Sequence, residues 1–365
     1  MGRRPPRRRL RLAAWLAALL LALTGCTPGA QPSSGSLADH LNAALRARSQ
    51  PAFLDNFSAD ASGSTLGATW FAVLSGGDAT FAMIDPTTIR VVATLPGDRS
   101  AATWTLPLEL EGRSWFAAGR IRAVEPLPER PIWALGQVEV STAAHGTLLS
   151  SGLDPIARRA WADRLDHAAE AVASAAPPGV DGWQGGLVVD VPASASDFQA
   201  ITDELPSSAA ALTTCSTGTS RVVINPQILD NSANLLDATL VHEAVHVATD
   251  TACGRPDQGL IWAVEGLAES VTASVYPAIA GDNRDAVRAY LRDHPVPKAL
   301  PTDLNDLTAY ALAQLAVDEV RAHLGEKADD LLGRAIHASG SVTAAELRRV
   351  TRWYLSALRR IAATR

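Results

Sequence analysis

Leu235-Leu236-Asp237-Ala238-Thr239-Leu240-Val241-His242-Glu243-Ala244-Val245-His246-Val247-Ala248 contains no Gly or Pro and is amphipathic, which predicts a helix over 235–250. Positions i and i+4 share one helical face, so His242 and His246 can reach a common ion. Glu243 projects beside them, where a carboxylate can take a proton from water held at that ion. Either histidine alone would read as a satisfied core residue. A pair flanking a glutamate does not.

A second helical stretch follows, Trp262-Ala263-Val264-Glu265-Gly266-Leu267-Ala268-Glu269. A catalytic zinc takes three protein ligands and keeps one position open, commonly with two His and one Glu. Glu265 can supply the third ligand. Glu269, one turn further along the same face, can accept a hydrogen bond from a ligand histidine and fix its tautomer. Ala263, Val264, Leu267 and Ala268 surround both carboxylates with apolar neighbours, so burial without a partner would be costly. A third histidine six residues after the second, the metzincin arrangement, is excluded because position 252 is Ala.

The pairing resembles the gluzincin peptidases, in particular the peptidase-MA-like domains with a W-x-x-E-G-x-A-E signature after HExxH, over about residues 150–340. The resemblance implies a zinc metallopeptidase acting on a peptide or protein substrate. It implies one Zn2+ per chain on His242, His246 and Glu265, with Glu243 as general base and Glu269 as the family's second acidic position. It also implies a Tyr or His that stabilises the oxyanion. Tyr310, in Leu307-Thr308-Ala309-Tyr310-Ala311-Leu312, is the first candidate, and Tyr276, Tyr290 and His294 compete with it.

The N-terminus reads as a processing signal. Six arginines between Arg3 and Arg11 precede an apolar run, Leu12 to Leu23, too short to span a bilayer. Leu23-Thr24-Gly25-Cys26 resembles a bacterial lipobox, which implies a signal peptide over 1–25 and lipidation of Cys26. Residues 26–36 then form a flexible tether. The expected location is export with a lipid anchor in the outer face of the bacterial cell membrane; the adjacent arginines leave Sec or twin-arginine export open. Beyond Cys26 only Cys215 and Cys253 remain, an even pair in an oxidising compartment that forms a disulfide or stays as two thiols. The net charge of −6 and 5% aromatic content give no sign of a nucleic-acid partner.

The fold class expected is α+β. A module over 37–148 should open with a helix, Leu37–Arg48, followed by short β-prone runs: Ala68–Leu74, Thr80–Ile84, Ile89–Leu95, Ala102–Leu110, Ser114–Val124 and Ile132–Val140. Trp70, Trp104, Trp115 and Trp133 then sit on strands. The opening helix and turn resemble those of an NTF2-like cone, and a partner-binding or packing role is expected for this module. The second part, 149–365, should be a metallopeptidase-like domain. Asp154-Pro155 starts a helix, strands follow at Gly186–Val191 and Arg221–Ile224 around a helix at Ser196–Leu205, and helices fill the rest at 235–250, 258–276, 283–293, 303–324, 327–337 and 343–362. Asp282 and Asp303 are expected caps, and the basic last helix is expected to dock on the core. The rival function is a binding lipoprotein that keeps the metallopeptidase fold without turnover.

Overall fold

Three helices open the described residues: α1 (Leu37–Arg46), α2 (Gln50–Leu54) and α3 (Ala61–Leu74). The computed structural model describes residues 36–112, 119–180, 183–204, 209–228, 232–254, 257–304, 306–337 and 341–364. The expected signal peptide, Cys26, the expected tether up to residue 35 and Trp115 lie outside the described residues. Leu37–Arg365 forms one compact unit.

The β-prone run Ala68–Leu74 is helical, contrary to the strand expected there. Asp60 caps α3, its Oδ1 accepting from the Gly63 amide at 2.7 Å. Leu66, Trp70, Val73 and Leu74 are buried at helical spacing, so packing overrides the local β preference of Thr69, Trp70 and Val73. The sheet after it is a meander of β1 (Asp78–Asp85), β2 (Thr88–Thr94), β3 (Ala102–Glu111) and β4 (Arg120–Val124), antiparallel throughout. Of the strand expected over Ser114–Val124, only β4 is present among the described residues. Trp133 is not on a strand either: Pro131 sets up a 3-10 turn, Ile132–Ala134, and the strand begins only at Glu139. Trp133 packs edge-on against Trp70 and Trp104, with centroids 5.0 and 5.3 Å away, and closes the first core.

The second sheet is mixed, in the order β5-β6-β7-β9-β8: β5 (Glu139–Ala143), β6 (Gly146–Ser150), β7 (Leu187–Val191), β8 (Ala211–Thr214) and β9 (Arg221–Ile224). β6, β7 and β9 run parallel, and α4 (Pro155–Ala175), capped by Asp154 as expected, makes the crossover from β6 to β7. α5 (Ala195–Thr202) connects β7 to β8. Leu148, Val189, Val222 and Ile224 point into a large helical core, while Leu149, Val188 and Val223 point into the first core. Residues 148 and 149, where the two parts were expected to divide, therefore lie inside β6, on a sheet that both cores share.

Helices complete the fold: α6 (Ala233–Thr249), the short α7 (Thr251–Gly254), α8 (Ile261–Val275), α9 (Pro277–Asp293), α10 (Leu307–Leu324), α11 (Ala328–Ile336) and α12 (Ala344–Ala363). Two expected caps differ. Pro277 occupies the first turn of α9, so that helix begins earlier and Asp282 lies within it. α10 is capped by Asp306, whose Oδ1 accepts from the Ala309 amide at 2.9 Å, and Asp303 stays outside the helix. α12 carries a Thr343–Glu346 capping box and buries Val350, Tyr354, Ala357 and Leu358, which docks it on the helical core. Cys215 and Cys253 are joined in a disulfide that ties the chain just after β8 to α7.

Candidate metal centre

α6 presents His242, Glu243 and His246 from one stretch whose neighbours Val241, Ala244, Val245, Val247 and Ala248 are all buried. Its C-terminal end is held by the loop between β2 and β3: Arg99 Nη1 donates to the carbonyls of Val247 at 3.2 Å and Ala248 at 2.5 Å, a cation placed at the negative end of the helix dipole. α8 brings Glu265 and Glu269. Gly266 lets α8 approach α10 closely, since a Cβ there would meet the Ala313 carbonyl oxygen at 2.3 Å.

Three donor atoms converge. His242 Nε2, His246 Nε2 and Glu265 Oε2 stand 3.2 Å from one another on every side of the triangle. An ion about 2.0–2.1 Å from three ligand atoms at tetrahedral angles needs them about 3.3 Å apart. The outer nitrogens are also spoken for: His242 Nδ1 lies 3.5 Å from Glu269 Oε1, and His246 Nδ1 lies 3.2 Å from Thr251 Oγ1. With a hydrogen on each Nδ1, both Nε2 lone pairs point into the triangle beside a carboxylate oxygen. Such a set repels itself unless a cation sits there. Two imidazoles and one carboxylate suit zinc.

The electrostatics point the same way. Burial works against a charge on His242, yet the hydrogen bonds and charges of Glu265 and Glu269 outweigh it and raise its pKa well above the ordinary value. Burial likewise opposes ionisation of Glu265, and the charge of His246 with the hydrogen bonds of both histidines overcomes it, holding that carboxyl low. The pocket calls for positive charge. A metal ion answers that demand as a proton would.

Glu243, 8% exposed, accepts at Oε2 from Thr213 Oγ1 at 2.7 Å. Tyr310 packs edge-on to His242, with centroids 5.9 Å apart. Burial, then the charges of Glu265, Glu243 and Glu269, push its hydroxyl pKa above the ordinary value, so the group stays protonated and can donate. The competitors sit in other contacts: Tyr276 faces His167, and Tyr290 and His294 stack on each other. A groove of about 690 Å³ including its open mouth runs along β8, bordered by Thr213, Thr214, the disulfide, Glu129 and Glu204.

Thr213, Thr251 and Arg99 were not foreseen. Thr213 lies on a four-residue strand thirty positions before its partner, and nothing in a lone Thr-Thr pair marks such a contact.

No protein-family model and no curated protein matches this sequence. Among solved structures, a two-domain M1 zinc metallopeptidase bound to L-tryptophan aligns with 15% identity and a TM-score of 0.32, covering 79% of this chain and 61% of that one. The chain thus spans about 61% of that protein's length. At that TM-score the likeness carries no argument, and the functional reading stands on the chain's own geometry.

Proposed function

We propose that this chain is a zinc-dependent peptidase, exported and tethered through a lipid on Cys26 to the outer face of the cell membrane. One observation carries the enzymatic part: the 3.2 Å triangle of His242, His246 and Glu265, with a glutamate next in sequence to one of its histidines. The arginine-rich start, the apolar run and Leu23-Thr24-Gly25-Cys26 support the anchor.

His242, His246 and Glu265 would hold the ion, which supplies Lewis acidity, polarising a carbonyl and acidifying water. Glu243 is the general base. Thr213 occupies one of its carboxylate oxygens and leaves the other to accept a proton and return it to the departing amine. Tyr310, kept protonated, donates to the developing oxyanion. Glu269 orients His242 through Nδ1. The groove along β8 is bordered by Thr213, the residue that donates to Glu243.

The test is metal analysis of the purified protein, wild type beside Glu265→Ala and Glu243→Gln, with a peptide-library cleavage assay. About one zinc per chain is expected in wild type and Glu243→Gln, with loss in Glu265→Ala and cleavage only by wild type. A folded wild type that takes up no zinc when offered it refutes the metal centre. Zinc bound without cleavage of any peptide leaves the rival, a binding lipoprotein.

A further inference from the structure

A polar chain leads from the metal centre across three helices. Glu269 Oε2 accepts from Asn283 Nδ2 at 3.1 Å, and the same amide nitrogen donates its second hydrogen to Gln314 Oε1 at 2.8 Å. Gln314 Nε2 donates to Asp318 Oδ2 at 3.3 Å. Asp318 Oδ1 accepts from Ser270 Oγ at 2.8 Å, and Ser270 accepts from Arg321 Nη1 at 2.6 Å. α8 contributes Glu269 and Ser270, α9 contributes Asn283, and α10 contributes Gln314, Asp318 and Arg321.

The chain has a single sense. Turning the Gln314 amide over would set its oxygen against the Asp318 carboxylate and its NH2 against the NH2 of Asn283, two repulsions in place of two hydrogen bonds. Asp318 therefore polarises Gln314, and Gln314 in turn makes Asn283 the better donor. The end of the chain is Glu269, whose carboxylate would otherwise swing about three side-chain torsions. With Oε2 engaged by Asn283, Oε1 is left facing His242 Nδ1. That contact keeps the hydrogen on Nδ1 and the Nε2 lone pair in the triangle.

We infer that Asn283 is a positioning residue of the metal centre: it holds Glu269 against His242 and so sets the affinity of the His242–His246–Glu265 cluster for a divalent transition ion. The inference rests on the metal-centre reading above. It gives α9 a part in the site through Glu269.

A double-mutant cycle on the full chain tests it: wild type, Asn283→Ala, Glu269→Ala and the double variant, each titrated with Zn2+ against a chromophoric chelator, and with Co2+ while its visible spectrum is read. Removing a partner that orients a ligand histidine costs about 10–100-fold in metal affinity. Asn283 acts one contact further out, so a weakening of about 5–10-fold is expected, with an altered Co2+ spectrum. In the Glu269→Ala background the same substitution should change affinity by less than about twofold. Equal weakening in both backgrounds overturns the inference, because Asn283 would then act through the fold. Wild-type affinity in Asn283→Ala overturns it as well. If that variant fails to fold, Gln314→Leu removes the amide that orients Asn283 while keeping the side-chain volume. It should weaken binding in the same direction, and an unchanged affinity refutes the inference. A wild type that binds neither ion overturns the metal-centre reading itself, a result distinct from any difference among variants.

Discussion

Gly266→Ala is the sharpest test of how the metal centre is built. The added methyl would lie 2.3 Å from the Ala313 carbonyl oxygen, 2.7 Å from its carbon and 2.9 Å from Val317 Cγ2. Ordinary contact begins near 3.3 Å, so α8 and α10 must part by about 1 Å, and the nearest obstacle is backbone that cannot rotate away. Overpacking of that kind costs about 1–3 kcal/mol. The displacement also falls on Glu265, the preceding residue. A site of this kind tolerates about 0.5 Å of error, so a shift of about twice that should weaken zinc binding by at least about tenfold. Calorimetric melting with and without Zn2+ reads both effects: a lower Tm for the metal-free variant and a smaller rise on adding zinc. A Gly266→Ala protein with wild-type Tm and wild-type zinc response would refute the claim that backbone proximity of α8 and α10 sets the site.

Other expectations concern the frame around the site. Arg221 and Asp98 form a bidentate pair with side chains 6% and 0% exposed, so Asp98→Ala strands a buried guanidinium and should cost about 3–5 kcal/mol in urea unfolding. The Cys215–Cys253 bond closes a 38-residue separation, and loop entropy puts its contribution at about 3–4 kcal/mol; Cys215→Ser/Cys253→Ser should lower the denaturation midpoint accordingly. Burial pushes the Asp190 carboxyl up to about 7, with Arg221 pulling it down and Asp98 adding to the rise. Its folded pKa exceeds its unfolded one, so this stability is fully present below pH about 4 and is lost as pH rises through about 7. Asp190→Asn should flatten the stability profile between those values; an unchanged slope would remove Asp190 as its source.

The sequence speaks most clearly where chemistry and local periodicity coincide. His242, Glu243 and His246 share one uninterrupted helix, and Glu265 and Glu269 lie one turn apart on another, so their faces could be read without knowing the fold. Tyr310 is a candidate only through the family resemblance and the helix that its stretch opens, not through any spacing of its own. Helix starts were harder, because Asp303 and Asp306 are both plausible caps before the same apolar stretch, and only packing selects the second. A helix expected over 283–293 puts Asn283 in its first turn, whereas the start at Pro277 places it inside the helix. Ala68–Leu74 misled because Thr, Trp and Val favour strands in isolation, whereas the buried spacing of Leu66, Trp70 and Val73 is helical. Leu148-Leu149 and Leu187-Val188-Val189 are apolar at every position, the mark of strands covered on both sides.

That doubly covered sheet has a consequence for inheritance. Side chains along β7 go by turns to one core and the other, Val189 and Val191 inward to the helices and Val188 to the aromatic cluster. Inserting one residue upstream in the strand would exchange the two audiences, delivering Asp190 to the helical core and Val189 to its place beside Arg221. Both interiors would be spoiled by one event. The parts on either side of this sheet can vary freely only in their loops, and a lineage carrying this chain should preserve the spacing of its central strands more strictly than the identity of the residues on them.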